Sequence, residues 1–316
     1  MSTALVSTLP GLLGGLVLLS LGAEALVSGA VTIARRFSMP PLLIGVTIVG
    51  FGTSLPELVV SVKAALDGAP DIAIGNVVGS NIANILLIVG VAALIAPIAA
   101  KFIAYRRDLL VMLAASILML ALGIWGGVGR IAGGVMLLML IGYLTYAARS
   151  GIGVETENQP DTLPAWRRSM PIAAASVLIG LVALFAGANW LVGSAIEISR
   201  AFGLSEATIG LTVVAVGTSL PELATSVAAA IRRHGDVALG NVIGSNVFNI
   251  LGILGITALI SPVGISAGMA AVDIPVMILT AFLLAGLIAT GRGIGRLAGI
   301  GLLVLYSGYT GWLLLA

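Results

Sequence analysis

Ten apolar runs follow one another along the chain, separated by short charged or turn-like breaks. Their approximate limits are 9–34, 41–66, 72–99, 109–124, 131–148, 172–199, 207–231, 237–260, 274–290 and 297–315. Most approach the ~20 residues that a helix needs to cross the hydrocarbon core. In lipid every backbone N–H and C=O must be satisfied within the chain, so only helices and closed barrels can span. The strict alternation of barrel strands is absent. The expected fold is therefore an all-α polytopic membrane protein with ten transmembrane helices. Of its 316 residues, 59% are hydrophobic and 9% charged, against roughly 25% charged in soluble domains. Mean hydropathy is +1.18. Forty-two glycines suit close helix packing in a bilayer. The first charge is Glu24, with no basic segment before the first apolar run, so no cleavable leader is expected.

Lys and Arg set the orientation, because they accumulate on the cytoplasmic side. With the N-terminus outside, Arg35, Arg36, Lys101, Arg106, Arg107, Arg149, Arg167, Arg168, Arg232, Arg233, Arg292 and Arg296 fall inside. Only Lys63, Arg130 and Arg200 fall outside. Both termini are thus expected outside a cell (inner) membrane, with the polar linker at 149–169 cytoplasmic and a surface-lying turn near Trp166.

The sequence also repeats itself. Residues 45–90 and 210–255 align without a gap at an offset of 165, with 27 identities in 46 positions. Arg35 then lies over Arg200, and Pro97 over Pro262. Residues 1–148 and 170–316 therefore read as two five-helix repeats. Five is odd, so the second copy enters from the opposite face, giving two inverted repeats. That plan recurs in transporters, with the substrate near the midplane.

The strongest repetition is in polar residues. The heptapeptide GTSLPEL occurs at 52–58 and again at 217–223, and GNVVGSNIANI at 75–85 is echoed by GNVIGSNVFNI at 240–250. Thr53 and Glu57 share a helix face, as do Ser80 with Asn84 and Ser245 with Asn249. Pro56 and Pro221 each remove a backbone donor and free carbonyl oxygens. Gly79 and Gly244 are expected to loosen their helices similarly. The resulting donors are all oxygens, a set that suits hard cations. Ca²⁺ takes 6–8 oxygens at about 2.3–2.6 Å, whereas thiolate and imidazole metals are disfavoured. Intramembrane acids mark function by default, and Glu57 and Glu222 are two at corresponding positions.

Other chemistries are poorly served. There is no cysteine and one histidine, His234, which excludes thiolate catalysis and a histidine-built zinc site. No Asp-rich diphosphate motif is present, so an intramembrane enzyme is a remote alternative. A channel seldom needs an inverted repeat around an acid-lined centre. No cofactor is expected. Scattered basic residues do not suggest nucleic acid, and the lipid bilayer is the expected partner of a functional monomer. Glu24, about 16 Å from Arg35 at 1.5 Å per residue, reads as a polar tie between helices or a cavity-lining, proton-sensitive group. Asp108 and Asp273 read as interfacial residues at helix ends.

The two polar segments resemble the α-1 and α-2 repeats of the calcium/cation antiporter superfamily, and in particular its prokaryotic sodium/calcium exchanger branch. The resemblance covers essentially the whole chain. It implies antiport of Na⁺ against Ca²⁺ by alternating access, with the first and sixth helices sliding across the other eight. By motif position, Glu57 and Glu222 would be carboxylates shared by Ca²⁺ and Na⁺, and Thr53 and Thr218 would lend carbonyls to Ca²⁺. Ser54, Ser219, Ser80 and Ser245 would serve Na⁺, with the carbonyls of Gly50 and Ala215. Asn84 and Asn249 would fill the central amide positions. Some members have Asp where this chain has Asn249, including archaeal sodium/calcium exchangers and animal potassium-dependent exchangers. Two carboxylates remain, a charge that one Ca²⁺ cancels, which argues against potassium dependence. A proton-coupled calcium antiporter of the same superfamily is the alternative.

Overall fold

A computed structural model describes residues 2–37, 45–149, 169–201 and 215–315. The first helix, α1, spans Ser2–Arg36. A π-type segment, Gly45–Val49, then leads into α2 (Gly50–Thr53) and α3 (Leu55–Leu66). Next, α4 (Pro70–Ala83) passes through a π-type segment, Asn84–Ile88, into α5 (Val89–Ile95). Two longer helices follow, α6 (Phe102–Ile124) and α7 (Arg130–Arg149). Beyond the linker comes α8 (Met170–Ala201), and then α9 (Ala215–Thr218) and α10 (Leu220–Ile231) repeat the earlier break. A further π-type segment, Phe248–Leu254, joins α11 (Gly235–Val247) to α12 (Gly255–Ile260). The last helices are α13 (Ala267–Ala271), α14 (Asp273–Ala289) and α15 (Arg296–Leu315).

Among the described residues, helix lies within every one of the ten apolar runs. Seven helices among the described residues are long and apolar enough to cross a membrane, or eight if the pair bent by 48° between Gly45–Thr53 and Leu55–Leu66 is one span. The helix α10 is apolar but only 12 residues long. Positions 41–44 and 207–214, and the turn expected near Trp166, lie outside the described residues.

Hydropathy misplaces one boundary instructively. The fourth run reads as starting at 109, after Arg106, Arg107 and Asp108, yet α6 starts at Phe102. The Asp108 carboxylate is wholly buried and lies within α6, not at its end. Its Oδ1 accepts hydrogen bonds at 2.8 Å from both Arg107 Nε and Tyr143 Oη. The Arg107 guanidinium lies 6.0 and 5.9 Å from the ring centres of Tyr143 and Tyr146, a cation–π arrangement. These charges therefore pack inside the bundle instead of ending the helix. Asp273 does open α14, and its Oδ1 accepts from Tyr309 Oη at 2.8 Å.

The third run ends at Ile95 because Ala96 turns extended. Ile98 then pairs with Ile294, and Gly127–Val128 pairs antiparallel with Val263–Gly264. Each pairing joins one half of the chain to the other. Two apolar clusters lie between the helices. The larger includes Ile74, Ile85, Met112, Ile243, Ile250 and Met277. The smaller joins α1 to α8 through Leu26, Val27, Ala173, Val177 and Leu184. Glycine permits that second contact: a Cβ on Gly22 would lie 2.9 Å from the Gly180 carbonyl oxygen. One on Gly187, the residue 165 positions later, would lie 2.8 Å from that of Gly15. Large apolar side chains such as Leu138, Val182, Leu279 and Leu297 face outward, as lipid contact requires.

Candidate cation site

The two GTSLPEL copies adopt the same broken geometry. Ser54 (φ −86°, ψ 9°) separates α2 from α3, and Ser219 (φ −87°, ψ 5°) separates α9 from α10. Pro56 and Pro221 fall in the first turn of the second helix, where a missing N–H costs little. Pro56 and Pro221 have no N–H to offer the carbonyls of Gly52 and Gly217, whereas those of Gly50 and Val216 still accept from Ser54 and Ser219. The break puts Glu57 and Glu222 in a first turn, where the helix dipole favours negative charge. Both carboxylates are 1% exposed.

Their hydrogen bonds cross between the halves. Ser54 Oγ donates to Glu222 Oε1 at 2.8 Å, and Ser219 Oγ donates to Glu57 Oε1 at 3.4 Å. Each half's hydroxyl thus holds the other half's acid. Among the described residues, seven buried side-chain atoms lack a hydrogen-bond partner. Four of them are Glu57 Oε2, Glu222 Oε2, Asn84 Oδ1 and Asn249 Oδ1. These four form two pairs at the 165-residue offset, and all are acceptors. A buried acceptor left unsatisfied costs about 1–3 kcal/mol, which a bound cation recovers. Neither glutamate forms an ion pair among the described residues. No three His, Cys, Asp or Glu side chains cluster there to hold a metal. Neutral oxygens would have to complete any coordination shell.

Ser245 is buried, and its Oγ donates to the Gly50 carbonyl at 3.3 Å. The Thr53 hydroxyl lies 3.0 Å from the Val49 carbonyl and 3.3 Å from Asn241 Oδ1. Ser80 is buried on α4, one turn before Asn84. Thr218 is half-buried at the end of α9, and Ala215 opens that helix. The geometry thus joins Glu57 to Ser219, Glu222 to Ser54, and Ser245 to Gly50.

Gly79 and Gly244 do not loosen their helices; both sit in regular turns of α4 and α11. The π-type widening comes later, at Asn84–Ile88 and Phe248–Leu254. Single π-turns are common at functional sites, and here they begin at or beside the two asparagines. Gly244 serves close approach instead, since a Cβ there would lie 2.5 Å from Val46 Cα.

Sequence reasoning also passed over a supporting layer. Asn76 Nδ2 donates to the Glu57 carbonyl (3.0 Å) and Ser61 Oγ (2.9 Å). Asn241 Nδ2 donates to the Glu222 carbonyl (3.3 Å) and Ser226 Oγ (2.9 Å). The offset of 165 relates these bonds too, and their identity in both copies was the available signal. Glu24 proves to be a tie: it pairs with Arg232 at 2.5 Å, linking α1 to the end of α10. It also lines a cavity of about 300 Å³ with Ser28, Thr32 and Ser176.

Buried carboxylate and amide oxygens without partners are a donor set that suits hard cations. Comparison with known proteins agrees. The model of the family described as sodium/calcium exchanger protein matches residues 7–149 and 172–315. The sodium/calcium exchanger MaX1 of Methanosarcina acetivorans is 33% identical over 94% of this chain and 96% of its own length. The inner membrane protein YrbG of Escherichia coli is 38% identical over 93% of this chain and 94% of its own. A solved structure of the sodium-calcium exchanger NCX_Mj superposes with a TM-score of 0.83 at 36% identity, covering 95% of this chain and 96% of that one. MaX1 and NCX_Mj are sodium/calcium exchangers, ion carriers and not enzymes. This chain is a membrane protein of the sodium/calcium exchanger family, within the prokaryotic branch of the calcium/cation antiporters.

Proposed function

We propose that the protein exchanges Na⁺ for Ca²⁺ across the cell membrane, alternately exposing one site formed by both halves of the chain. The crossed pairing of Ser54 with Glu222 and Ser219 with Glu57, around four buried oxygens without partners, supports this most directly. In this reading Glu57, Glu222, Asn84 and Asn249 surround the transported ion. The carbonyls of Thr53 and Thr218 serve Ca²⁺. The hydroxyls of Ser54, Ser219, Ser80 and Ser245 serve Na⁺, with the carbonyls of Gly50 and Ala215. Two buried, charged acids are costly to carry through the membrane empty, so the site crosses loaded and exchange prevails over leak.

Ten spans arranged as two inverted five-helix repeats, 1–148 and 170–316, complete the reading. The 165-residue offset between corresponding hydrogen bonds supports it, as do the matching breaks at Ser54 and Ser219. The arginine distribution puts both termini outside and the 149–169 linker in the cytoplasm. Energetics favour three Na⁺ per Ca²⁺ exported. Exporting Ca²⁺ against a gradient of about 10⁴ and ~100 mV costs roughly 10 kcal/mol. Each Na⁺ entering down a tenfold gradient returns about 3.7 kcal/mol, so two fall short and three suffice. The ion pair between Glu24 and Arg232 favours sodium over proton coupling, since it ties up the one extra acid considered for a proton path.

The test is ⁴⁵Ca²⁺ uptake into proteoliposomes loaded with Na⁺, loaded with K⁺ or given a pH gradient. Uptake only into Na⁺-loaded vesicles is expected. Uptake driven by the pH gradient alone would move the chain to the proton-coupled antiporters.

A further inference from the structure

Asn84 and Asn249 are amides, and an amide has two unlike ends. Turned one way it offers an oxygen to a cation; inverted, it offers an NH₂ that repels one. Something must therefore hold both side chains with oxygen inward. We propose that Asn81 and Asn246 are positioning residues that lock the two central amides in their cation-accepting orientation. The proposal rests on the site described above and extends it to residues that do not themselves face the ion.

Asn84 Nδ2 donates to Asn246 Oδ1 at 3.0 Å, and Asn249 Nδ2 donates to Asn81 Oδ1 at 3.1 Å. Inverting either central amide would set oxygen against oxygen at that distance. The second layer is itself fixed. Asn246 Nδ2 points to Met112 Sδ (3.7 Å) and the Asn81 carbonyl (3.4 Å), and Asn81 Nδ2 points to Met277 Sδ (3.5 Å). Thioether sulfur accepts weakly but does not donate, so a methionine in this position tells an amide nitrogen from an amide oxygen. Asn81 and Asn246 are 1% and 2% exposed, and Met112 and Met277 are 0% and 1%, so these groups are closed to bulk solvent. Corresponding members again differ by 165: Asn81 with Asn246, Asn84 with Asn249, Met112 with Met277. Each half thus supplies the latch for the other half's amide, as each supplies the hydroxyl for the other's acid.

A carboxylate has two like ends and needs no latch, which provides the test. Ca²⁺ binding to purified full-length protein in sodium-free lipid nanodiscs would be titrated calorimetrically. The proteins compared are the unmodified chain, Asn246→Leu, Asn84→Asp, and the two changes together. Asn246→Leu is expected to weaken Ca²⁺ binding about tenfold, ~1.4 kcal/mol, because Asn84 can then invert. In the Asn84→Asp background an oxygen faces Asn246 Oδ1 either way, so there the same change should cost no affinity relative to Asn84→Asp alone. Equal losses in both backgrounds would mean that Asn246 only packs, and no loss in either would mean that it does nothing for the site; both overturn the proposal. Should Asn246→Leu not fold, Met112→Leu keeps volume and withdraws only the sulfur. A two- to threefold loss cancelled by Asn84→Asp supports the latch, and no loss overturns it. Failure of the site reading looks different: Ca²⁺ affinity of the unmodified chain would survive Glu57→Gln combined with Glu222→Gln.

Discussion

Replacing Glu57 by glutamine should stabilise the protein without Ca²⁺ and remove most of the stability that Ca²⁺ adds. Glu57 Oε1 accepts a hydrogen bond from Ser219, and Oε2 has no partner among the described residues. A Gln amide can turn its nitrogen toward Ser219 Oγ, which accepts, and keep its oxygen inward. That replaces a buried charge by a neutral amide whose inward oxygen costs less to leave without a partner. The cation-free variant should therefore be more stable by about 1–3 kcal/mol. With Ca²⁺ the variant forgoes most of the ion's contribution, because breaking a buried charge pair costs about 3–5 kcal/mol. Affinity should fall by roughly two to three and a half decades at 1.4 kcal/mol each. Thermal unfolding in nanodiscs, followed by tryptophan fluorescence, reads both effects. Ca²⁺ at a hundred times the unmodified protein's Kd adds about 2.7 kcal/mol to that protein. The same concentration should add no more than about 0.4 kcal/mol to the variant. A midpoint lowered equally with and without Ca²⁺ would make Glu57 a structural acid and refute the reasoning.

Gly244→Ala drives a methyl to 2.5 Å from Val46 backbone atoms. It should cost about 1–3 kcal/mol and weaken Ca²⁺ binding, whereas Gly142→Ala, with no atom within 4 Å, should leave both unchanged in the same unfolding and titration assays. Asp108→Ala leaves Tyr143 and Arg107 without their shared acceptor and should destabilise by about 3–5 kcal/mol. Its Ca²⁺ affinity, measured below the new midpoint, should stay within about threefold, since Asp108 has no part in the site. Arg232→Ala breaks a pair whose Glu24 side chain is 55% exposed, so the unfolding midpoint should register less than about 1 kcal/mol.

The parts of the site that the sequence makes legible are those it writes twice. Glu57, Glu222, Asn84 and Asn249 stand out because an acid or amide within an apolar run is costly, and identity at one fixed offset excludes accident. The crossing of Ser54 to Glu222 was not legible, since a linear pattern groups Ser54 with Glu57, three residues away. Asn81 and Asn246 were visible as repeated residues, but which asparagine faces the centre depends on the widened turns at 84–88 and 248–254. No residue type announces a π-turn; the glycines at 79 and 244 suggested it a turn too early. The start of α6 was hidden because hydropathy scores Arg107 and Asp108 as separate charges, whereas Tyr143 and burial make them one neutral packed unit.

The central claim is that one site, made by acids from both halves, binds Ca²⁺ and Na⁺ in competition. Equilibrium Ca²⁺ binding over a series of Na⁺ concentrations tests it most directly, with the Glu57→Gln plus Glu222→Gln protein measured in parallel. The account predicts one Ca²⁺ per chain, an apparent Kd that rises more steeply than the first power of Na⁺, and no binding in the double variant. Ca²⁺ binding that Na⁺ cannot displace, or that persists in the double variant, would contradict it.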